Sequence, residues 1–327
     1  MNKFIISLSP HIHGGDSIER NMYGVVIALI PALLASFYLF GLGAAVVTIT
    51  AVVSCLFFEW VITKFMFHRL PSITDGSALL TGLLLAFNLP SNLPLWMVVL
   101  GALVAIGIGK MTFGGLGCNP FNPALVGRVF LLISFPSAMT SWPIPGQIMN
   151  YTDAQTGATP LSLMKWAIKA GDASILDQLP SSFEMLFSKT GGSLGEVTSA
   201  ALLLGFAYLL VRKIITWHIP LSILVTVAVL SGLMHLSNPV FATPDKVLLT
   251  GGLILGACYM ATDYVTSPMT KKGQLIYGVA IGVLTVIIRD FGAYPEGMSF
   301  AILIMNAFTP LINLSCRSRR FVEEAKR

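Results

Sequence analysis

Ten apolar stretches follow one another along this chain, most of them long enough to cross a bilayer, and they leave little room for any other fold. A hydrocarbon core of ~30 Å takes ~20 helical residues. Inside it every backbone N–H and C=O must be satisfied internally, which restricts the chain to helices or a closed barrel. The stretches read as spans near residues 22–40, 43–66, 73–89, 94–112, 119–135, 194–212, 218–236, 246–263, 273–289 and 298–315. The third, fifth and eighth are short or polar-edged. Charged residues make up 11% of the 327, where a soluble domain carries about 25%. The sequence therefore predicts an all-α integral membrane protein of about ten transmembrane helices.

Basic residues orient those spans. With the N-terminus inside, 14 of the 20 Lys and Arg fall on the inner side, among them Lys64, Lys110, Arg212, Lys271 and Arg317. Lys165, Lys169, Lys189, Lys246 and Arg289 fall outside, and Arg128 lies within a span, where it should pair with an acid or a carbonyl. The positive-inside rule selects this assignment. Both termini are then cytoplasmic and the one long connection, residues 136–193, faces outward. The N-terminal segment reads as a lead-in and not as a cleavable signal, because its apolar run is short and no small-residue site follows. The formal charge of +5 is spread over short loops and gives no nucleic-acid signal. Cys55, Cys118, Cys258 and Cys316 lack metal-ligand spacing and read as small apolar residues in or near helices. His11 and His13 match no metal pattern.

Two pairs of segments resemble each other. Leu79-Leu80-Thr81-Gly82 follows Asp75 as Leu248-Leu249-Thr250-Gly251 follows Asp245, and Asn119-x-Phe121-x-Pro123 matches Asn306-x-Phe308-x-Pro310. The repeat unit is five spans. Since five is odd, the second copy is inverted, an architecture that places sites between the halves. The expected organisation is a five-helix repeat over 1–135, the outward loop 136–193, and a second five-helix repeat with a basic tail over 194–327.

Three groups of residues could carry chemistry. In the loop, Asp153-Ala154-Gln155-Thr156-Gly157-Ala158-Thr159-Pro160 brings small residues up to the Thr159 hydroxyl. This suits a hydroxyl that another enzyme must reach, and also suits an N-cap opening a helix at Leu161. Next, Gly114-Gly115-Leu116-Gly117-Cys118-Asn119-Pro120-Phe121-Asn122-Pro123 lacks the lysine of a P-loop. Asn119 and Asn122, three apart on a helical turn, would present two amides on one face, or would cap backbone. Finally, Asp75 and Asp263 stand at inner span boundaries and Glu59 lies deeper; acids at membrane depth are functional candidates, while interfacial ones are often solvated helix ends.

Together the loop motif D-x-x-[ST]-G-A-T, the F-G-G-x-G-x-N-x-x-N-P-A segment and the ten spans resemble the family of Rnf-complex D subunits and the related B subunits of the sodium-pumping NADH:quinone reductase. The resemblance covers almost the whole chain. It implies a bacterial inner-membrane flavoprotein subunit that passes single electrons. A flavin transferase would join FMN through its phosphate to Thr159, recognising Asp153, Thr156, Gly157 and Ala158. Riboflavin would bind non-covalently at Asn119 and Asn122, although Cys118 and Pro120 depart from the more basic quinone-reductase version. Asp75 and Asp263 resemble positions where acids affect cation uptake. The partners implied are the other membrane and peripheral subunits of a complex coupling ferredoxin oxidation and NAD⁺ reduction to Na⁺ or H⁺ movement. The short N-terminus favours the Rnf branch over the quinone reductase. A small-solute transporter with an inverted repeat is the rival from another class, and it has no use for the loop motif.

Overall fold

The computed structural model describes residues 17–68, 73–151, 153–187, 191–196, 199–294 and 296–316. Among them the regular elements are helices, joined by one isolated bridge between Pro143 and Thr156. The first part of the chain forms α1 (Ile18–Val61), α2 (Ser77–Phe87), α3 (Leu95–Leu103), α4 (Pro123–Ser134) and the short α5 (Pro136–Met139). The long connection carries α6 (Pro160–Ala170) and α7 (Ser182–Leu186). After it come α8 (Ser199–Val211), α9 (His218–Ser237), α10 (Pro244–Leu249), α11 (Leu253–Leu255), α12 (Lys271–Phe291) and α13 (Met298–Ser315). Five helical stretches among the described residues are long and apolar enough to cross a membrane: Ile18–Met66, Leu95–Phe113, His218–Ser237, Lys271–Phe291 and Met298–Ser315. The chain is an all-α, multi-pass membrane protein. His11, His13 and the basic tail lie outside the described residues.

The first of these stretches holds two spans. Gly41 interrupts α1 with φ 54° and ψ −125°, backbone that suits a residue without Cβ. Tyr23 Oη donates to Thr74 O at 3.3 Å, just before α2. Further along, Gly82 lies against Ala51 and Val52, and Gly43 against Ser91. The later half of α1 thus runs antiparallel to α2, and the chain reverses at Gly41, between the expected spans 22–40 and 43–66. The long connection seals the break: Ile148 O accepts from Leu42 N–H and Leu39 O accepts from Gly146 N–H, each at 2.8 Å.

Three expected spans prove to be shortened or broken helices. The α2 helix has 11 residues and α4 has 12, about 16–18 Å at 1.5 Å per residue, too short to cross alone. In place of the eighth span, α10 stops before Thr250, the chain turns through Gly251 (φ 64°), and α11 continues as a π-turn over Gly256–Met260. Helix ends at such depth need partners in protein. At the end of α2, Phe87 O accepts from Gly195 N–H at 2.8 Å and Leu89 O from Leu194 N–H at 3.2 Å.

The repeated segments share some local features and not others. Thr81 Oγ1 donates to Ser77 O at 2.9 Å and Thr250 Oγ1 to Lys246 O at 3.0 Å, both four residues back. Gly82, however, stays inside α2 while Gly251 ends α10. The two N-x-F-x-P motifs touch. With its amide turned to satisfy its neighbours, Asn306 in α13 accepts from Asn122 N–H at 3.2 Å and donates to Tyr277 Oη at 2.6 Å.

Candidate functional site: two cavities at the ends of α4

Helix α4 starts beside one cavity and ends beside another. Its capping is legible in the sequence: Asn122 is the N-cap, its Oδ1 accepting from Ala124 N–H (3.1 Å) and Leu125 N–H (3.4 Å), and Pro123 takes the first helical position.

The cavity at the start of α4 gathers Asn119, Asn122, Ser77, Lys110, Thr262 and Asp263 against an apolar wall that includes Leu80, Leu84, Ile214 and Ile215. Mostly apolar walls with a few convergent polar groups are the usual form of a small-molecule site. The expected helical turn carrying both asparagines is absent. Gly114, Gly115 and Gly117 all have positive φ, and residues 114–122 make turns and bends that bring both amides to the cavity by another route. Asn119 Nδ2 donates to Phe121 O at 3.0 Å, and Asn122 Nδ2 to Met260 O at 3.2 Å. The capping role is therefore real, and it coexists with a place on the cavity wall. Cys118 in this segment is exposed and outside any helix, unlike the buried Cys55 and Cys258.

Asp263 is half-buried at the same cavity, its carboxylate accepting from Thr266 Oγ1 at 3.2 Å. Asp75 stands one contact away: its Oδ1 accepts from Ser77 N–H at 2.9 Å and from Ser77 Oγ at 2.6 Å, at the start of α2. Lys110 Nζ donates to Ser77 Oγ at 2.7 Å and to Glu59 Oε2 at 2.6 Å, both deeply buried. From the sequence, Lys110 counts only as an inner-side charge. The signal that could have found it is a lysine closing the fourth apolar run together with the single acid inside the second.

The second cavity, of about 300 Å³, lies at the other end of α4. It is lined by Leu132 of α4, by Trp142, Gly157, Ala158 and Thr159 of the long connection, by Trp166 of α6, and by Tyr294 and Glu296. The motif reaches it as extended chain: Gln155 O accepts from Ile144 N–H and Trp142 O from Gly157 N–H, each at 3.0 Å. Asp153, Thr156, Gly157 and Ala158 are exposed, but Thr159 itself is only 7% exposed. That corrects the expectation of an uncrowded hydroxyl. Thr159 is the N-cap of α6, its Oγ1 accepting from Ser162 N–H at 3.2 Å, with Pro160 as the first helical residue. The helix therefore opens one residue before Leu161. A helix N-terminus favours a phosphate group through its unpaired N–H groups and its dipole.

The bundle anchors α6 firmly. Lys165 Nζ donates to Gly292 O at 2.5 Å and to Arg289 O at 3.3 Å, at the last turn of α12. Burial, with Lys169 adding to it and Asp290 opposing, holds the Lys165 ammonium below the usual lysine range. Arg289 in turn donates to Thr250 O at 3.0 Å and Val247 O at 3.2 Å, at the end of α10. Arg128, midway along α4, forms an ion pair with Glu296 on the wall of the second cavity. The sequence leads one to expect an acid or a carbonyl for Arg128, but not that the partner would be a cavity residue from a distant part of the chain.

Shortened helices that meet inside a bundle, with one cavity at each end of a connecting helix, define a multi-pass all-α membrane protein with two separate internal cavities. The chain belongs to the NQR2, RnfD, RnfE family, which it matches over residues 5–322. It is 44% identical to the D subunit of the Na(+)-translocating ferredoxin:NAD(+) oxidoreductase complex of Acetobacterium woodii, over 96% of this chain and 94% of that one. It is 42% identical to the D subunit of the proton-translocating ferredoxin:NAD(+) oxidoreductase complex of Clostridium ljungdahlii, over 95% and 94%. The D subunit of an ion-translocating oxidoreductase complex of Escherichia coli is 39% identical over 97% of both chains.

Proposed function

We propose that this chain is the D subunit of an Rnf-type complex and carries electrons between two flavins, FMN esterified to Thr159 and riboflavin beside Asn119 and Asn122. The observation that carries this reading is the placement of the two cavities. The loop motif ends in the wall of one, the paired asparagines stand in the wall of the other, and Ala124 and Leu132 on the same helix line one cavity each. Eight residues of helix separate those two, about 12 Å of axis at 1.5 Å per residue.

The residues present fit both groups. Around Thr159, Trp142, Trp166 and Tyr294 offer aromatic surface for a flat ring, and the α6 N-terminus suits the phosphate. At the other end, amides and a lysine face a slot with apolar walls. Flavins supply the capacity to take and give electrons one at a time; the chain supplies spacing, orientation and electrostatics. The orientation read from the basic residues puts Thr159 on the outer face of the inner membrane and Asn119 on the inner face. Movement of one charge across the membrane then exchanges about 2.3 kcal/mol per 100 mV, which is the coupling an ion-translocating complex uses. Dinucleotide and iron–sulfur chemistry belongs to partner subunits, and a flavin transferase matures Thr159. The relatives' own names give sodium as the cation for one and protons for another. The test is flavin analysis of the purified complex. One flavin should survive denaturation on the peptide containing Thr159 and a second should be extractable from this chain; absence of the covalent one removes the proposal.

A further inference from the structure

The inner-end cavity holds a charged group that the two asparagines do not account for. Lys110 lies near the end of the helical stretch Leu95–Phe113 and is 2% exposed, yet it lines the cavity beside Asn119 and Asn122. Its ammonium is fixed from behind by Glu59 at 2.6 Å, itself 1% exposed, and from the side by Ser77 Oγ at 2.7 Å. Ser77 Oγ in turn donates to Asp75 at 2.6 Å. Burying a lysine and an acid together is costly, and such a pair in place of apolar residues is weak evidence for stability alone. Its position in a ligand cavity gives it another use.

We propose that Lys110, held by Glu59 and Ser77, sets the reduction potential of the group in this cavity by offering positive charge to its electron-rich edge. The inference rests on the reading that a flavin binds there. A ring that gains negative character on reduction is stabilised in that state by a fixed cation nearby, and the cation's own counter-charge sets how strongly. Charge close to the ring is one of the main ways a protein tunes a flavin. Lys110 is thus a positioning residue for charge, with Glu59 its attenuator; Asp263, also on the cavity wall, opposes it.

The two members of the pair make opposite predictions. The full chain is purified from cells lacking the flavin transferase, so that only non-covalent flavin is present, and titrated by absorbance against redox dyes. Lys110→Met should lower the midpoint potential, and Glu59→Gln should raise it. A pair that only braces the bundle would shift both in the same direction or neither. Unchanged potentials in both variants at normal flavin content would overturn the proposal. If Lys110→Met does not fold, Glu59→Gln decides alone: a raised potential supports the assignment and an unchanged or lowered one removes it. An unsubstituted chain that retains no extractable flavin would instead overturn the underlying reading, and this inference with it.

Discussion

Asn122 Nδ2 donates to the carbonyl of Met260 at 3.2 Å, joining the start of α4 to the end of the π-turn over Gly256–Met260, in the later part of the eighth span. The same side chain caps α4 with its oxygen. One residue thus holds together two helix ends, contributed by opposite parts of the chain, at the edge of the cavity where α4 starts.

That double duty changes what a substitution there should do. Asn122→Leu leaves the Met260 carbonyl and two N–H groups without their partner, a loss of about 1–3 kcal/mol for each buried group left unsatisfied. Asn119 makes a single local bond to Phe121 O, so Asn119→Leu should be milder. We expect extractable riboflavin to fall in both variants and melting temperature to fall mainly in Asn122→Leu. Riboflavin at the normal level in the double variant would end the assignment.

For the acids, local hydrogen bonding and ion handling have to be separated. Asp75 accepts two bonds from Ser77 at the start of α2, which a helix-end residue would do without any role in transport. Asp75→Asn keeps an acceptor oxygen and removes the charge, so folding and flavin content should hold while cation-coupled turnover slows. Asp263→Asn should act alike, since it stands on the cavity wall. Wild-type rate and stoichiometry in both would leave them as helix-end residues only.

Orientation can be read by cysteine labelling. Gly171, at the end of α6, has open space around it, but its φ of 69° would strain a cysteine. The exposed Ala170 is the better position. Ala170→Cys, in a chain without the native cysteines, should react with an impermeant thiol reagent in intact cells. Cys118, exposed at the opposite end, should react only in inverted vesicles. The reverse pattern would turn the chain over and move the proposed FMN inside.

The sequence was informative wherever one residue type has one physical use. Apolar runs located the helices on both sides of the long connection, Asn-Pro and Thr-Pro marked the caps of α4 and α6, and the division at Gly41 fell between two runs. Helix length was less legible, because hydropathy does not register a turn such as Thr250-Gly251-Gly252 inside an apolar stretch. Least legible were the partners. Nothing local to Arg128 points to Glu296, and Lys110 is tied to Glu59 only by their being the one lysine of one apolar run and the one acid of another, since both pairs are made by packing of distant segments. The aromatic wall around Thr159 was hidden for the same reason: Trp142 and Trp166 stand at different points of the long connection and Tyr294 comes from beyond α12.

Thr159 offers the sharpest test, and the structure changes its design. A surface substitution would cost under ~0.5 kcal/mol, but Thr159 is a buried N-cap, and replacing such a cap by alanine costs about 1 kcal/mol. Thr159→Ala would therefore lose both the hydroxyl and some stability. Asparagine caps helices at least as well as threonine and has no hydroxyl to esterify. Thr159→Asn should accumulate and melt as the unsubstituted protein does, yet show no fluorescent band on a denaturing gel and no electron transfer through the assembled complex. Asp153→Ala, on exposed chain before the bridge to Pro143, should lower the modified fraction without affecting stability. Thr156→Ala should leave Thr159 as the modified residue. Mass spectrometry of the loop peptide checks the three variants beside the unsubstituted chain: flavin mass found on Thr156, or no flavin mass in the unsubstituted chain from cells expressing the transferase, would remove Thr159 from the mechanism.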